Sequence, residues 1–160
     1  MSTLVQRARR IHPGWILAVL DVIGLAVAMY LSTVELEGGV PNCGPLHGCE
    51  VVAQSQYARI GGIPVAVFGV MLSLVLLTLA LAWIRTNNPT LLDLHYGLSL
   101  IGVIFEVYFL SVQIFILHAV CIWCTTYGAS LLMRFAVALV IWVRQGRFDA
   151  WFGKHGEAGD

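Results

Sequence analysis

Four cysteines are the residues of this chain that could do redox chemistry, and they form two closely spaced pairs. Cys43 and Cys49 lie in a polar stretch rich in Gly and Pro, between the first two apolar runs. Cys121 and Cys124 form a C-x-x-C motif at the beginning of the last apolar run. Thiolates exchange with disulfides by attacking one of the two sulfurs. Two pairs on the same side of a membrane would therefore form two dithiol/disulfide couples in series, able to pass electron pairs between a soluble protein and a lipid-dissolved acceptor.

Membrane-spanning helices are predicted to hold these cysteine pairs in place. Of the 160 residues, 59% are hydrophobic and 11% are charged, whereas ordinary globular domains carry roughly 25% charged residues. About 20 apolar residues cross the hydrocarbon core, and four runs are long enough: residues 14–34, 63–84, 94–117 and 120–143. We predict an all-α four-helix membrane bundle over residues 14–144, between tails at residues 1–13 and 145–160. The formal net charge of zero indicates no nucleic-acid partner.

The basic residues predict how the bundle is oriented. The loop after the first run contains only Arg59, and the link between the third and fourth runs contains no Lys or Arg. The other basic residues that border the runs lie on the opposite side: Arg7, Arg9, Arg10, Arg85, Arg144, Arg147 and Lys154. The positive-inside bias therefore places both termini in the cytoplasm. All four cysteines then face the extracytoplasmic side of the cell inner (cytoplasmic) membrane, where disulfides persist.

The C-x-x-C motif has a physical reason to lie where it does. The preceding link is very short, so we expect Cys121 within the first turn of the fourth helix and Cys124 one turn deeper. Peptide dipoles and free N–H groups at a helix N-terminus stabilise an anion. The pKa of the leading thiol is therefore expected to be lowered, which makes Cys121 the exchange nucleophile. Cys124, at i+3 on the same face, would close the disulfide and point further into the membrane.

Other uses of the four thiols remain open from the residues alone. Cys43 and Cys49 could form a static disulfide that only staples the loop. The four cysteines, or three of them with His47 in the pattern Cys43-x3-His47-x-Cys49, could instead hold a tetrahedral zinc. A non-enzymatic membrane carrier could also hand a soft ion such as Cu(I) or zinc between thiolate pairs. The first two alternatives are structural, and the third is a different class of function.

Further motifs follow the loop cysteines in a characteristic order: Ser55-x-Tyr57-Ala58, then Gly62-Ile63-Pro64 leading into the second run, then the C-x-x-C. In spacing, side and helix order, the pattern resembles the bacterial branch of the vitamin K epoxide reductase family over about residues 14–144. The resemblance implies an enzyme, a quinone-dependent oxidoreductase that supports disulfide bond formation. Its quinone substrate would be menaquinone or ubiquinone.

The resemblance also bears on the partner and the substrate. Many bacterial relatives carry a fused thioredoxin-like domain, and this chain ends too early to contain one. A separate soluble partner with a thioredoxin fold, DsbA-like, is therefore expected. The animal enzymes have an asparagine near the start of the second helix, and the local sequence here is Pro64-Val65-Ala66-Val67-Phe68. This difference argues against vitamin K epoxide as a substrate.

Residue roles can be carried over by position. Cys121 and Cys124 match the active-site pair, with Cys124 nearest the quinone, whereas Cys43 and Cys49 match the shuttle pair that exchanges with the partner. Ser55 matches a serine on a short loop helix, expected over residues 49–59, that covers the quinone pocket. That helix could also be a plain surface element over the bundle.

Three aromatic residues are candidates for the quinone pocket. Thr125-Thr126-Tyr127 resembles the stretch that follows the C-x-x-C in the animal enzymes, with one residue fewer before the tyrosine. Tyr127 shares a helix face with Cys124, so a quinone contact is expected from it. Phe68 and Trp123 are candidates for the pocket walls. Packing between helices is the alternative for all three.

Three ionisable residues lie inside apolar runs, where an unpaired charge is costly: Asp21, Glu106 and Arg134. Because buried charges usually pair, we expect an ion pair that holds helices together. A proton route toward the quinone is the second interpretation.

Overall fold

The fold consists of four long helices joined by short connections. The structure is a computed structural model that describes residues 12–43 and 48–146. Its elements in chain order are α1 (Gly14–Leu36), α2 (Gly48–Ala53), a 3₁₀ turn (Gln56–Ala58), β1 (Arg59–Ile60), β2 (Ile63–Pro64), α3 (Val65–Thr86), α4 (Pro89–Ser111), a π-helical turn (Val112–Ile116) and α5 (Ile122–Arg144). The four long segments are each long and apolar enough to cross a membrane. The predicted all-α membrane bundle with a short loop helix is confirmed.

Local sequence features determine the first residues of α3 and α4. α3 begins two residues later than predicted because Ile63 pairs with β1 in a hairpin. Gly61 and Gly62 turn this hairpin with φ of +59° and +87°, which a two-residue turn of this kind requires. α4 begins earlier than predicted, at Pro89, where proline fits the first helical position. The side chain of Asn88 caps this helix by accepting from the N–H of Thr90 at 3.1 Å.

The long helices form a four-membered ring. α1 and α4 each pack against both α3 and α5. Two apolar clusters fill the bundle. The first lies between the ends of α1, α3, α4 and α5 remote from the cysteines and contains Trp83 and Trp142. The second contains Cys49, Val52 and Cys121 at the opposite end. The cysteines are therefore part of a packed core.

The loop segment departs from the single helix expected over residues 49–59. α2 ends at Ala53, and the hydroxyl of Ser55 donates to the carbonyl of Val52 at 2.7 Å. Short polar side chains that bond to the nearby backbone compete with helix continuation. Ser55 is extended (ψ 154°) and starts the 3₁₀ turn. The expectation of one continuous three-turn helix was wrong for this local reason.

A buried polar cluster joins all four long helices. Arg134 Nη1 lies 3.5 Å from a carboxylate oxygen of Asp21, and both side chains are fully buried. His95 Nε2 lies 3.2 Å from the other oxygen of Asp21. Arg134 also donates to the hydroxyl of Ser73 at 3.3 Å. The expected ion pair is confirmed for Asp21 and Arg134, and His95 is an additional member that the sequence analysis missed.

Both tails lie largely outside the described residues. Residues 1–11 and 147–160 include most of the basic residues on which the orientation rests. The domain bounds and the sidedness of the bundle therefore stay predictions.

Candidate functional site

The two cysteine pairs meet at one end of the bundle. Cys43 and Cys49 are joined by a disulfide, with their Cα atoms 5.9 Å apart. The Sγ atom of Cys49 lies 3.4 Å from the Sγ atom of Cys121, and both residues are 1% exposed. Reacting atoms about 3–3.5 Å apart are near the geometry of attack. The loop disulfide therefore lies within exchange distance of the C-x-x-C. A disulfide that only stapled the loop would not need to lie so close to Cys121.

Access from outside differs between the two loop cysteines. Cys43 is half-buried, whereas Cys49 is buried against Cys121. α2 places Cys49 there because its first residue, Gly48, approaches the backbone of Val120 closely. A soluble partner would therefore reach the sulfur of Cys43 more easily than that of Cys49.

Cys121 precedes α5 as its N-cap, one position before the first helical turn in which it was expected. Its sulfur accepts the backbone N–H of Cys124 at 3.3 Å. A hydrogen bond from the thiol of Cys124 is the main cause that lowers the pKa of Cys121. The N–H groups of Cys124 and Trp123 also lower this pKa, against the opposing effect of burial. Because the thiolate is the exchange nucleophile, Cys121 keeps that form to lower pH than an ordinary cysteine.

A cavity of about 330 Å³ lies within the bundle next to the C-x-x-C. Ligand pockets of this size are typically apolar with few polar groups, and most of the side chains that line this one are apolar. Cys124, Phe68 and Tyr127 are among the lining residues, as is Glu106. Val52 of α2 also contributes to the wall. The second thiol of the C-x-x-C therefore borders a space that fits an apolar ring.

The geometry agrees with a comparison of the sequence with known families. A model described as the vitamin K epoxide reductase family matches residues 15–139. The chain belongs to the vitamin K epoxide reductase family. As a member, it is a multi-pass membrane oxidoreductase of disulfide chemistry, and the family generally uses a quinone as electron acceptor.

The candidate quinone contacts of this family member fall into two groups. Phe68 and Tyr127 line the cavity, and the Tyr127 hydroxyl donates to the carbonyl of Gly69 at 3.1 Å. Ser55 and Trp123 do not belong to its lining. Ser55 is connected to the cavity wall only indirectly, because its hydroxyl donates to the carbonyl of Val52, which lines the cavity. The indole N–H of Trp123 donates to the carbonyl of Asn42 at 2.9 Å, which ties α5 to the loop before Cys43.

Three of the sulfurs form a compact cluster. The Sγ atoms of Cys43, Cys49 and Cys121 all lie within 4.8 Å of one another. Soft thiolates at such distances suit Cu(I) or zinc, but a thiol must be deprotonated to bind a metal. Cys43 and Cys49 supply no thiolate while they form a disulfide. His47, the fourth candidate ligand, lies outside the described residues.

Gln113 supports Cys121 from the π-helical turn, and the sequence analysis missed it. Its Oε1 accepts the N–H of Cys121 at 2.8 Å, and its backbone carbonyl accepts the N–H of Ala119 at 3.1 Å. The side chain is fully buried. π-helical turns occur frequently at functional sites, and an amide inside an apolar run was the signal that could have identified this residue. Gln113 therefore holds the backbone of Cys121 in place.

Replacing Gln113 with leucine is expected to slow exchange between Cys121 and Cys49 about tenfold. The change leaves the buried N–H of Cys121 without its acceptor, which costs about 1–3 kcal/mol. The backbone at Cys121 is therefore expected to shift away from Cys49. The rate of Cys49–Cys121 disulfide formation in a Cys124→Ser background measures the effect. Ser111→Ala, which removes an exposed hydroxyl two residues away, is the control. Equal rates in the two variants would show that Gln113 does not position Cys121.

Proposed function

We propose that this protein oxidises the dithiol of a soluble thioredoxin-fold partner and passes the electrons to a membrane quinone. The observation that carries the proposal is the 3.4 Å approach of Cys49 Sγ to Cys121 Sγ. It connects a loop disulfide with a C-x-x-C whose second thiol borders an apolar cavity. The substrate quinone would be menaquinone or ubiquinone, and the result would be disulfide bonds in secreted proteins.

The first half of the reaction takes place among sulfurs. A partner thiolate attacks the accessible sulfur of Cys43, which breaks the loop disulfide and releases the Cys49 thiolate. The partner's second thiol then closes the partner disulfide and releases Cys43. Cys49 attacks Cys121 in the oxidised C-x-x-C and frees the Cys124 thiolate. Cys43 finally reforms the loop disulfide, which leaves Cys121 and Cys124 reduced.

The second half takes place at the cavity. Cys121 and Cys124 together lose two electrons and two protons and form one S–S bond. The quinone gains the same two electrons and two protons and leaves as quinol. Phe68 and Tyr127 form part of the pocket for the quinone ring, and Ser55 acts on the pocket through Val52. For a two-electron couple, about 30 mV changes the equilibrium tenfold, so rising potentials along the route would make the transfer directional.

The proposed location is the cytoplasmic membrane of a bacterium, with both termini in the cytoplasm and all four cysteines outside. The support is the distribution of basic residues under the positive-inside bias. A membrane-impermeant thiol reagent added to reduced whole cells should then label Cys43. Labelling that occurs only in inverted vesicles would contradict this orientation and, with it, the extracytoplasmic partner.

The test of the function uses the purified protein in proteoliposomes under anaerobic conditions. A reduced thioredoxin-fold protein and a short-chain quinone are added, and quinol is followed by its absorbance. The proposal requires partner oxidation that depends on quinone and stops in a Cys121→Ser variant. The compact sulfur cluster also suits a thiolate metal carrier, which predicts bound metal, free thiols after its removal, and no quinone dependence.

A further inference from the structure

Glu106 is an ionisable side chain at the cavity that the sulfur relay does not use. It lies on α4 five residues before Ser111, about 8 Å from the end of that helix at 1.5 Å per residue. Its side chain is half-buried and lines the cavity together with Cys124 and Tyr127. The carboxyl group therefore faces the same space as the thiol that is proposed to reduce the quinone.

The backbone of α5 makes room for this carboxyl group. A Cβ atom added at Gly128 would meet the Glu106 side chain, with Cγ at 2.7 Å and Cδ at 2.6 Å. Gly128 is four residues after Cys124 and so lies on the same helix face. Any larger residue at Gly128 would displace the acid. The side chain of Glu106 thus packs against α5 at Gly128, one helical turn after Cys124.

The carboxyl group of Glu106 has no hydrogen bond or salt bridge within residues 12–43 and 48–146. Arg134, the buried cation of the neighbouring helix α5, is bound to Asp21 and Ser73 and does not pair with Glu106. From the other helices, the ionisable groups at the cavity are Glu35 of α1 and Cys124 and Tyr127 of α5, and the Tyr127 hydroxyl already donates to the carbonyl of Gly69. An unpaired carboxylate in hydrocarbon is costly, so the neutral carboxylic acid of Glu106 is favoured here. This acid has a proton to donate, and no group among the described residues accepts a hydrogen bond from it.

We propose that Glu106 is the general acid that protonates the quinone in this cavity. The inference rests on the proposed function and names a residue for its last step. As electrons leave Cys124, the carboxyl proton of Glu106 moves to a quinone oxygen. The carboxylate then takes up one of the two protons released when Cys121 and Cys124 close their disulfide, and the other proton goes to the second quinone oxygen. The two thiols still lose two electrons and two protons, and the quinone still gains them, so Glu106 is regenerated.

Glu106→Gln tests the role because it keeps the size of the side chain but cannot give up a proton. Fully reduced protein is mixed with a short-chain quinone in a stopped-flow instrument, and quinol formation is followed over a range of pH. We expect a loss of about 10²-fold, within the range for general acid catalysis, with unchanged quinone affinity. The wild-type rate should fall at high pH as the acid ionises, and the variant should lack that limb. Glu106→Asp should recover part of the rate.

The control is Glu37→Gln, which removes an exposed acid at the end of α1 that does not line the cavity. Exchange between a thiol partner and the loop disulfide should proceed at the wild-type rate in all variants, which shows that the fold is intact. A Glu106→Gln rate within twofold of wild type, or a loss confined to quinone affinity, would overturn the proposal. A wild-type protein that reduces no quinone would instead refute the proposed function itself.

Discussion

Replacing Cys124 with serine is expected to reduce quinol formation to background and to trap Cys121 in a disulfide with Cys49. Without Cys124, the thiolate of Cys121 lacks its resolving partner and has the Cys49 sulfur 3.4 Å away. The backbone N–H groups of residues 123 and 124, which also lower the pKa of Cys121, remain in this variant and favour the attack. Peptide mapping by mass spectrometry under oxidising conditions identifies the linked peptides, and absorbance measures the quinol.

Two further variants sharpen this experiment. Adding Cys43→Ser to Cys124→Ser removes the thiol that could reopen the trapped bond, so the Cys49–Cys121 product should become nearly quantitative. The matched control combines Cys49→Ser with Cys124→Ser and leaves only Cys43 to react with Cys121. A free Cys121 in the first double variant, or equally fast cross-linking in the control, would contradict Cys49 as the relay residue.

Gly48→Ala is expected to slow turnover with the soluble partner by about 10- to 100-fold. An added Cβ would overlap the carbonyl oxygen of Val120 and meet the C and N atoms of the same residue at 3.0 Å. Backbone atoms cannot move aside as a flexible side chain does, so the start of α2 must shift and carry Cys49 away from Cys121. Misplacement of reacting groups by about 1 Å can cost about 10²-fold in rate. Steady-state quinol formation with the partner as donor measures this loss.

Gly97→Ala is the matched control for this glycine, because a Cβ added there meets nothing within 4 Å. It lies inside α4, where alanine is the better helix former by about 1 kcal/mol, so activity should stay within twofold. Direct quinone reduction by the reduced C-x-x-C of Gly48→Ala should fall much less, because Cys121 and Cys124 lie outside α2, which contributes only Val52 to the cavity wall. A Gly48→Ala protein with normal partner turnover would show that the close approach does not set the exchange geometry.

The sequence predicted the existence of the four helices well because membrane spans are defined by length and composition. Each span must be apolar along about 20 residues, and that requirement is visible in a single chain. The two cysteine pairs were equally visible, since their types and spacing carry the chemistry. Their placement on one end of the bundle followed from the alternation of spans. The helix boundaries at Val65 and Pro89 depended on a hairpin and an Asn cap, which are local features.

The contacts within the bundle could not be read in the same way. A span that is apolar on all sides gives no stripe that shows which face meets a neighbour. The sequence therefore did not predict that Gln113 would accept the Cys121 N–H, nor that His95 would join Asp21. The predicted ion pair among the three buried charged residues is confirmed for Arg134 and Asp21. Glu106, the third residue, instead lines the cavity. The end of α2 before Ser55 depends on a side-chain hydrogen bond that propensity does not resolve.

The central claim, a sulfur relay that ends on a quinone, is tested most directly by counting the electrons that one fully reduced molecule gives to quinone. All four cysteines are reduced, the reductant is removed without oxygen, and excess short-chain quinone is added. Quinol is measured by absorbance, disulfides by alkylation and intact mass, and metal by elemental analysis. The account predicts two quinols and two disulfides per molecule, one of each in a Cys43→Ser/Cys49→Ser variant, and none in Cys124→Ser. Thiols that stay reduced beside unchanged quinone, or that hold a stoichiometric metal ion, would contradict it.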